Sequence, residues 1–160
     1  DVMTVKPIRA ERLLATLERG WDALVGSYDG LTPEVITKPG VVGEWSIKNL
    51  IAHVSIWEME AIKHLPVIAA GNRPPRYSVR YGGIDAFNDQ MMANMLGLSL
   101  EETLHQRDDT HQRLIAYLQS LPPELLATNE RFRRRLRLDT YGHYAIHSAD
   151  IQDWRASRKE

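Results

Sequence analysis

The sequence predicts an all-α protein, a four-helix-type bundle with a long crossover after its second helix. Apolar residues recur at helical spacing in five segments, several of which open on side chains suited to capping a free helix end. The stretch Gly71–Gly83, with Pro74 and Pro75 inside it, is longer than the loops that join antiparallel neighbours in a bundle. No segment shows sustained strand alternation, although Glu130–Leu138 leaves room for a short β pairing. At 160 residues, 43% hydrophobic and 26% charged, the chain fits a single domain over 1–160 with an ordinary core.

The first helical pattern runs from about Pro7 to Tyr28, with the apolar stripe Leu13, Leu14, Leu17, Trp21, Leu24 and Val25. Asp29-Gly30 ends it, and 33–43 is a connection. The second helix starts at Ser46, whose hydroxyl suits the N-cap. Trp45 and Leu50 then occupy the positions of a hydrophobic staple, which gives Trp45 a complete structural role. Its core stripe is Ile47, Leu50, Val54, Trp57, Ala61, Leu65 and Ile68, and Pro66 should kink or end the helix near Leu65. After the crossover, which implies that the flanking helices run the same way, a third helix covers about Ile84–Leu96. Ser99-Leu-Glu-Glu102 is a capping box opening a fourth, which Leu121-Pro122-Pro123 stops after Ser120. The last helix begins near Asp139 or Thr140 and reaches Ser157.

Composition excludes several classes of function. No apolar run approaches the ~20 residues needed to cross a bilayer. The first residues lack the apolar core of a secretion signal, and the cysteine count of zero removes disulfides, thiolate ligands and a Cys nucleophile. A cytoplasmic protein with no membrane association is expected. A net charge of −1 argues against nucleic acid as a partner. No phosphate loop, dinucleotide fingerprint or Ser-His-Asp arrangement is visible.

The chemistry-bearing feature is His143 with His147. Residues four apart on a helix share a face, so two imidazoles can close on one ion. His53 lies on the flank of the second helix's core stripe, ~60° from Leu50, a position that suits a cleft between helices. If that helix packs beside the last one, three neutral imidazoles converge, and three protein ligands with an open position are the pattern of a catalytic metal site. Tyr144 follows His143, so the His-Glu-x-x-His peptidase form is absent. All-imidazole ligation suits zinc, nickel, copper or iron; zinc and nickel are the first choices.

Three segments, in order and at matching spacing from about residue 8 to 155, carry a family resemblance. Gly43-Glu-Trp-Ser-Ile-Lys-Asn-Leu-Ile-Ala-His-Val-Ser-Ile-Trp57 looks like the second-helix signature of the DinB-like superfamily. Ile84-Asp-Ala-Phe-Asn88 resembles the start of that family's third helix, and Gly142-His-Tyr-Ala-Ile-His147 its last. The resemblance implies a metal-binding helical bundle with the ion on His53, His143 and His147. Related families include thiol-dependent transferases, mycothiol-dependent maleylpyruvate isomerases and ClbS-like resistance proteins. It also implies a homodimer, to which Met91, Met92 and Met95 would contribute exposed surface.

His111 is a reserve ligand on the apolar side of the fourth helix, although a satisfied boundary histidine is the simpler role. His64 is ~16 Å along the helix from His53, too far to share an ion, and His105 is a surface residue. Glu60 and Asp150 are the nearest carboxylates. Asp150 shares the face of His143 and His147 and is the candidate catalytic residue, able to bind the metal, orient an imidazole or act as a base; a capping or solvated carboxylate is an equal alternative. Trp154, on the same face, is read as core. Arg131–Arg137 holds five arginines in seven residues, read as a solvated, locally paired segment or as a small-anion site near the metal. The expected function is a metal-dependent enzyme on small molecules, with a low-molecular-weight thiol as partner: a thiol S-transferase or a hydrolase in stress or detoxification chemistry. The alternatives are a non-catalytic metal- or small-molecule-sequestering protein and, more weakly, a DNA-associated stress protein.

Overall fold

The computed structural model describes residues 2–158, and side chains from Thr4 onward. In chain order its helices are α1 (Val2–Ser27), α2 (Pro33–Ile36), α3 (Ile47–Ala69), α4 (Tyr77–Arg80), α5 (Ile84–Met95), α6 (Leu100–Gln119), α7 (Pro123–Thr128), α8 (Glu130–Asp139) and α9 (Tyr141–Ser157). Among the described residues there is no strand, only an isolated bridge between Val42 and Trp45. The bundle is built from α1, α3, α6 and α9, and the crossover after α3 carries α4 and α5.

α3 is the central element. It packs against α6, α8, α5 and α9, and residues 51–58 are all buried. Because this stretch is covered on every side, its polar residues His53 and Glu58, and Glu60 just beyond, lie inside the protein. Its start follows the sequence: the Ser46 hydroxyl accepts from the Asn49 amide, and the Asn49 side chain accepts from the Ser46 amide. Leu13, Leu17, Trp21 and Leu24 of α1 join Leu50, Val54 and Leu65 of α3, Leu114 and Leu118 of α6, and Tyr144 and Ile151 of α9 in the main core. A smaller cluster of Ala52, Ile56, Trp57, Phe87 and Met92 holds α5 to α3.

Four expectations need correction. Glu130–Leu138 is helical and belongs to α8. Asn129 caps it through the Phe132 amide at 3.0 Å, and Phe132, Leu136 and Asp139 form its buried face. Pro66 does not end α3, which continues to Ala69; so near the C-terminus the missing amide removes one bond while packing holds the rest. α1 begins at Val2 and carries Pro7 in its second turn. The methionines of α5 are not a free surface: Met92 is buried, and Met91 and Met95 pack partly buried beside it.

Candidate metal centre

α8 and α9 are joined by Thr140 alone, a fully buried residue whose hydroxyl donates to the Leu136 carbonyl at 2.5 Å. The two helices meet so closely that a Cβ on Gly142 would lie 2.8 Å from the Arg137 carbonyl oxygen. Only glycine fits there, and the next residue is His143. The first turn of α9 is thereby set against α3, and the imidazoles of His53, His143 and His147 come together.

The Nε2 atoms of His143 and His53 are 3.0 Å apart, and those of His147 and His143 are 2.9 Å apart. One nitrogen from each ring lies within 4.8 Å of the other two. Asp150 meets Nδ1 of His147 at 3.2 Å, so that nitrogen carries the proton and Nε2 presents a lone pair to the centre. Nδ1 of His143 is buried without a partner, so only its Nε2 contacts select its tautomer. A proton on His143 Nε2 can serve one of its two imidazole neighbours well, not both. A cation taking three lone pairs satisfies the converging nitrogen of every ring, and in this sense the donor set fits a divalent ion, although His143 Nδ1 keeps its proton without an acceptor. Burial holds His53 at about 4, with help from His147. Burial, then His147 and His53, holds His143 at about 3. Burial also lowers His147, against the opposing effect of Asp150. All three are therefore kept neutral, the form that binds metal.

A cleft of about 410 Å³ opens beside two of the rings, lined by His53, Trp57, Tyr77, Ile84, Asn88, Arg135, Leu138, Asp139 and His143. One wall is aromatic and apolar. The Trp57 indole donates to Asn88 Oδ1 at 3.0 Å, which turns the Asn88 amino group into a free donor. The other edge is a polar chain. Arg135 donates through Nε to Asp139 and through Nη2 to the Tyr77 hydroxyl, each at 2.6 Å, and Tyr77 donates to Glu60 at 3.0 Å. Burial raises the Asp139 carboxyl to about 6, although Arg135 opposes the rise.

Sequence reasoning missed Tyr77 and Asp139 as cleft residues. The spacing Phe132, Leu136, Asp139 was available, but without a helix over 130–139 it placed nothing. Asp150, the expected catalytic candidate, does not line the cleft; it stands behind His147 with its side chain 36% exposed. Glu60 sits behind Tyr77 and also meets His64 at 3.3 Å. Trp45 packs with its ring 4.8 Å from that of His53, and Trp154 packs on the main core. His111, the reserve ligand, is excluded because both of its nitrogens are engaged by Glu58 and Glu18.

Two solved structures share this fold. An uncharacterised protein from Escherichia coli UTI89 has a similar structure, with a TM-score of 0.73 at 13% identity over 92% of this chain and 93% of that one. A protein named sibling lethal factor precursor DfsB is similar with a TM-score of 0.76 at 16% identity, over 94% of this chain and 97% of that one. At such identities the likeness concerns the fold alone. No curated protein matches the sequence. The model of the DinB superfamily matches residues 16–150, which include all three histidines, and the chain belongs to that superfamily.

Proposed function

We propose that the chain is a metal-dependent enzyme acting on small molecules, a thiol S-transferase or hydrolase of stress or detoxification chemistry. The observation that carries this is the convergence of three neutral imidazoles, two of which, His53 and His143, line an open cleft. A structural ion would be closed off by a fourth protein ligand; none of the cleft residues beside the rings supplies one among the described residues. A divalent ion held by His53, His143 and His147 would lower the pKa of a bound water, polarise a carbonyl or hold a thiolate.

The chain's own residues do the rest. Trp57, Tyr77 and Leu138 offer an apolar bed for the body of a substrate, and the Asn88 amino group offers a fixed donor. Asp139, held by Arg135 at the same cleft, is poised to exchange a proton near neutral pH. Asp150 orients His147. The test is metal analysis of the purified chain, followed by assay of thiol consumption with cysteine or glutathione and 1-chloro-2,4-dinitrobenzene, and of ester hydrolysis. Metal-dependent turnover in either assay, absent from His147→Ala, supports the enzyme. Stoichiometric metal without turnover across thiols and esters would replace it with metal sequestration. Asp150→Asn is expected to weaken metal affinity by ~10–100-fold, as loss of an outer partner of a ligating histidine does. Isothermal titration of the metal-free protein measures this, and unchanged affinity would remove Asp150 from the site.

A further inference from the structure

The arginine run divides by direction. At ~100° per residue the buried residues of α8, Phe132, Leu136 and Asp139, fall within ~60° of one another, and Arg135 flanks them on the cleft side. Arg134 and Arg137 occupy the opposite face, with Arg131 and Arg133 at its two edges. There they line a concavity of about 450 Å³ with Glu130 and Tyr141. A second concavity of about 330 Å³ adjoins it, lined by Arg9, Arg12, Leu13 and Thr16 of α1 with Ala127, Glu130, Arg133 and Tyr141. Three residues are common to both linings, so the two form one groove between α1 and α8.

Six arginines and one glutamate line this groove. Among the described residues no carboxylate lies within 4.0 Å of the guanidinium groups of Arg9, Arg12, Arg131, Arg133, Arg134 or Arg137. Arg135 alone in the run has the local pairing that its composition suggests. Arg133, at the junction of the two concavities, is fixed by a bond from Nη1 to the Leu126 carbonyl at 2.5 Å. Arginine cannot shed its proton to relieve repulsion, so this concentration of charge in a chain of net −1 awaits anionic neutralisation. Planar, many-donor guanidinium groups suit phosphate oxygens. The positive charge is concave; along α1 Glu11, Glu18 and Asp22 alternate with Arg9, Arg12 and Arg19, and Glu124 of α7 pairs with Lys6. A phosphate-tracking nucleic-acid surface would need an extended stripe.

We propose that this groove binds a small, multiply charged phosphate anion of the di- or triphosphate class, independently of any ion at the histidines. The probe is inorganic tripolyphosphate, titrated calorimetrically into the full chain and into its His143→Ala variant, so that chelation at the triad cannot contribute. The expected result is saturable 1:1 binding of equal strength in both proteins, weakened at least ten-fold by Arg131→Gln with Arg134→Gln and unchanged by Arg113→Gln on α6. Both arginines of the double variant are exposed, so it should fold; circular dichroism checks this, and Arg137→Gln alone is a milder second variant expected to weaken binding several-fold. Equal weakening by Arg113→Gln, or no saturation, would overturn the proposal in favour of non-specific charge. Binding of a twenty-residue thymidine strand more tightly than tripolyphosphate would overturn it in favour of nucleic acid.

Discussion

Alanine at His53, His143 or His147 is expected to cut divalent-metal affinity by more than the ~10–100-fold that loss of an outer partner costs, leaving the helical content unchanged. Each ring contributes one of three lone pairs, and the chain has no cysteine to replace it. His53 and His147 are both buried, and His53 and His143 line the cleft, so truncation there opens space to the cleft. Metal stoichiometry and circular dichroism on the three single variants are the measurement. Full stoichiometry in all three would remove the site. The pH dependence sharpens the test. Ordinary imidazoles would release metal below about pH 6.5. Here burial holds His53 at about 4 and His143 at about 3, so metal should be retained at pH 5.5 more firmly than free histidine would allow. The stability sign follows from the same shifts. These groups bind protons less readily when folded than when unfolded, so their contribution is complete above about pH 6.5 and is lost as pH falls through about 4 for His53 and about 3 for His143. The metal-free protein should therefore lose melting temperature progressively across that acid range.

The long helices were legible because their signals are local. Ser46 announces a helix start through its hydroxyl and Ser99 through its hydroxyl and Glu102 at N3, and both caps form, Ser46 with Asn49 as an added reciprocal partner. The i, i+4 histidines needed only helical geometry, and the place of His53 beside them followed from one packed pair, α3 on α9. What was not legible depends on distant partners. Asp139 becomes a cleft residue only because α8 is a helix and ends where Thr140 turns the chain into α9. An arginine-rich segment of low apolar content reads weakly as a helix by pattern, yet Asn129 and the Phe132–Leu136 pair suffice once α3 and α7 cover them. Pairing across the bundle is equally invisible in sequence. Arg135 meets Tyr77 from 58 residues away, and the arginines that stay unpaired cannot be told from it by composition.

His111→Leu should destabilise the fold by about 3–5 kcal/mol, the usual result of removing one partner from a buried ion pair. Glu58 is fully buried at the centre of α3. Its Oε2 receives His111 Nδ1 and the Tyr144 hydroxyl, both at 2.7 Å, while Oε1 has no partner. The other imidazole nitrogen of His111 meets Glu18 at 2.6 Å, so both ring nitrogens face carboxylate oxygens and both must donate. With both carboxylates ionised the ring is an imidazolium, stacked 3.8 Å from Trp21 at an interplanar angle of 3°. Although burial works against the charge, the bonds and charges of Glu58 and Glu18 raise the His111 pKa; burial raises that of Glu58, against the effect of His111 and Tyr144. With leucine at 111 the carboxylate is left with a single phenol in an apolar interior. For a chain of this size the loss corresponds to a melting temperature lower by roughly 6–20 °C. The double variant Glu58→Leu with His111→Leu should recover much of it, because no charge is then stranded. Both groups hold protons more tightly folded than unfolded. The pair's contribution is thus fully present below the unfolded values and is lost as pH rises through the folded ones. Relative to the double variant, the wild type should lose stability with rising pH, opposite in sign to the metal-binding histidines. Denaturant unfolding of the three proteins across pH 5–9 measures both effects. A loss below about 1 kcal/mol for His111→Leu would mean that the pair is already hydrated or loosely held, contrary to its burial.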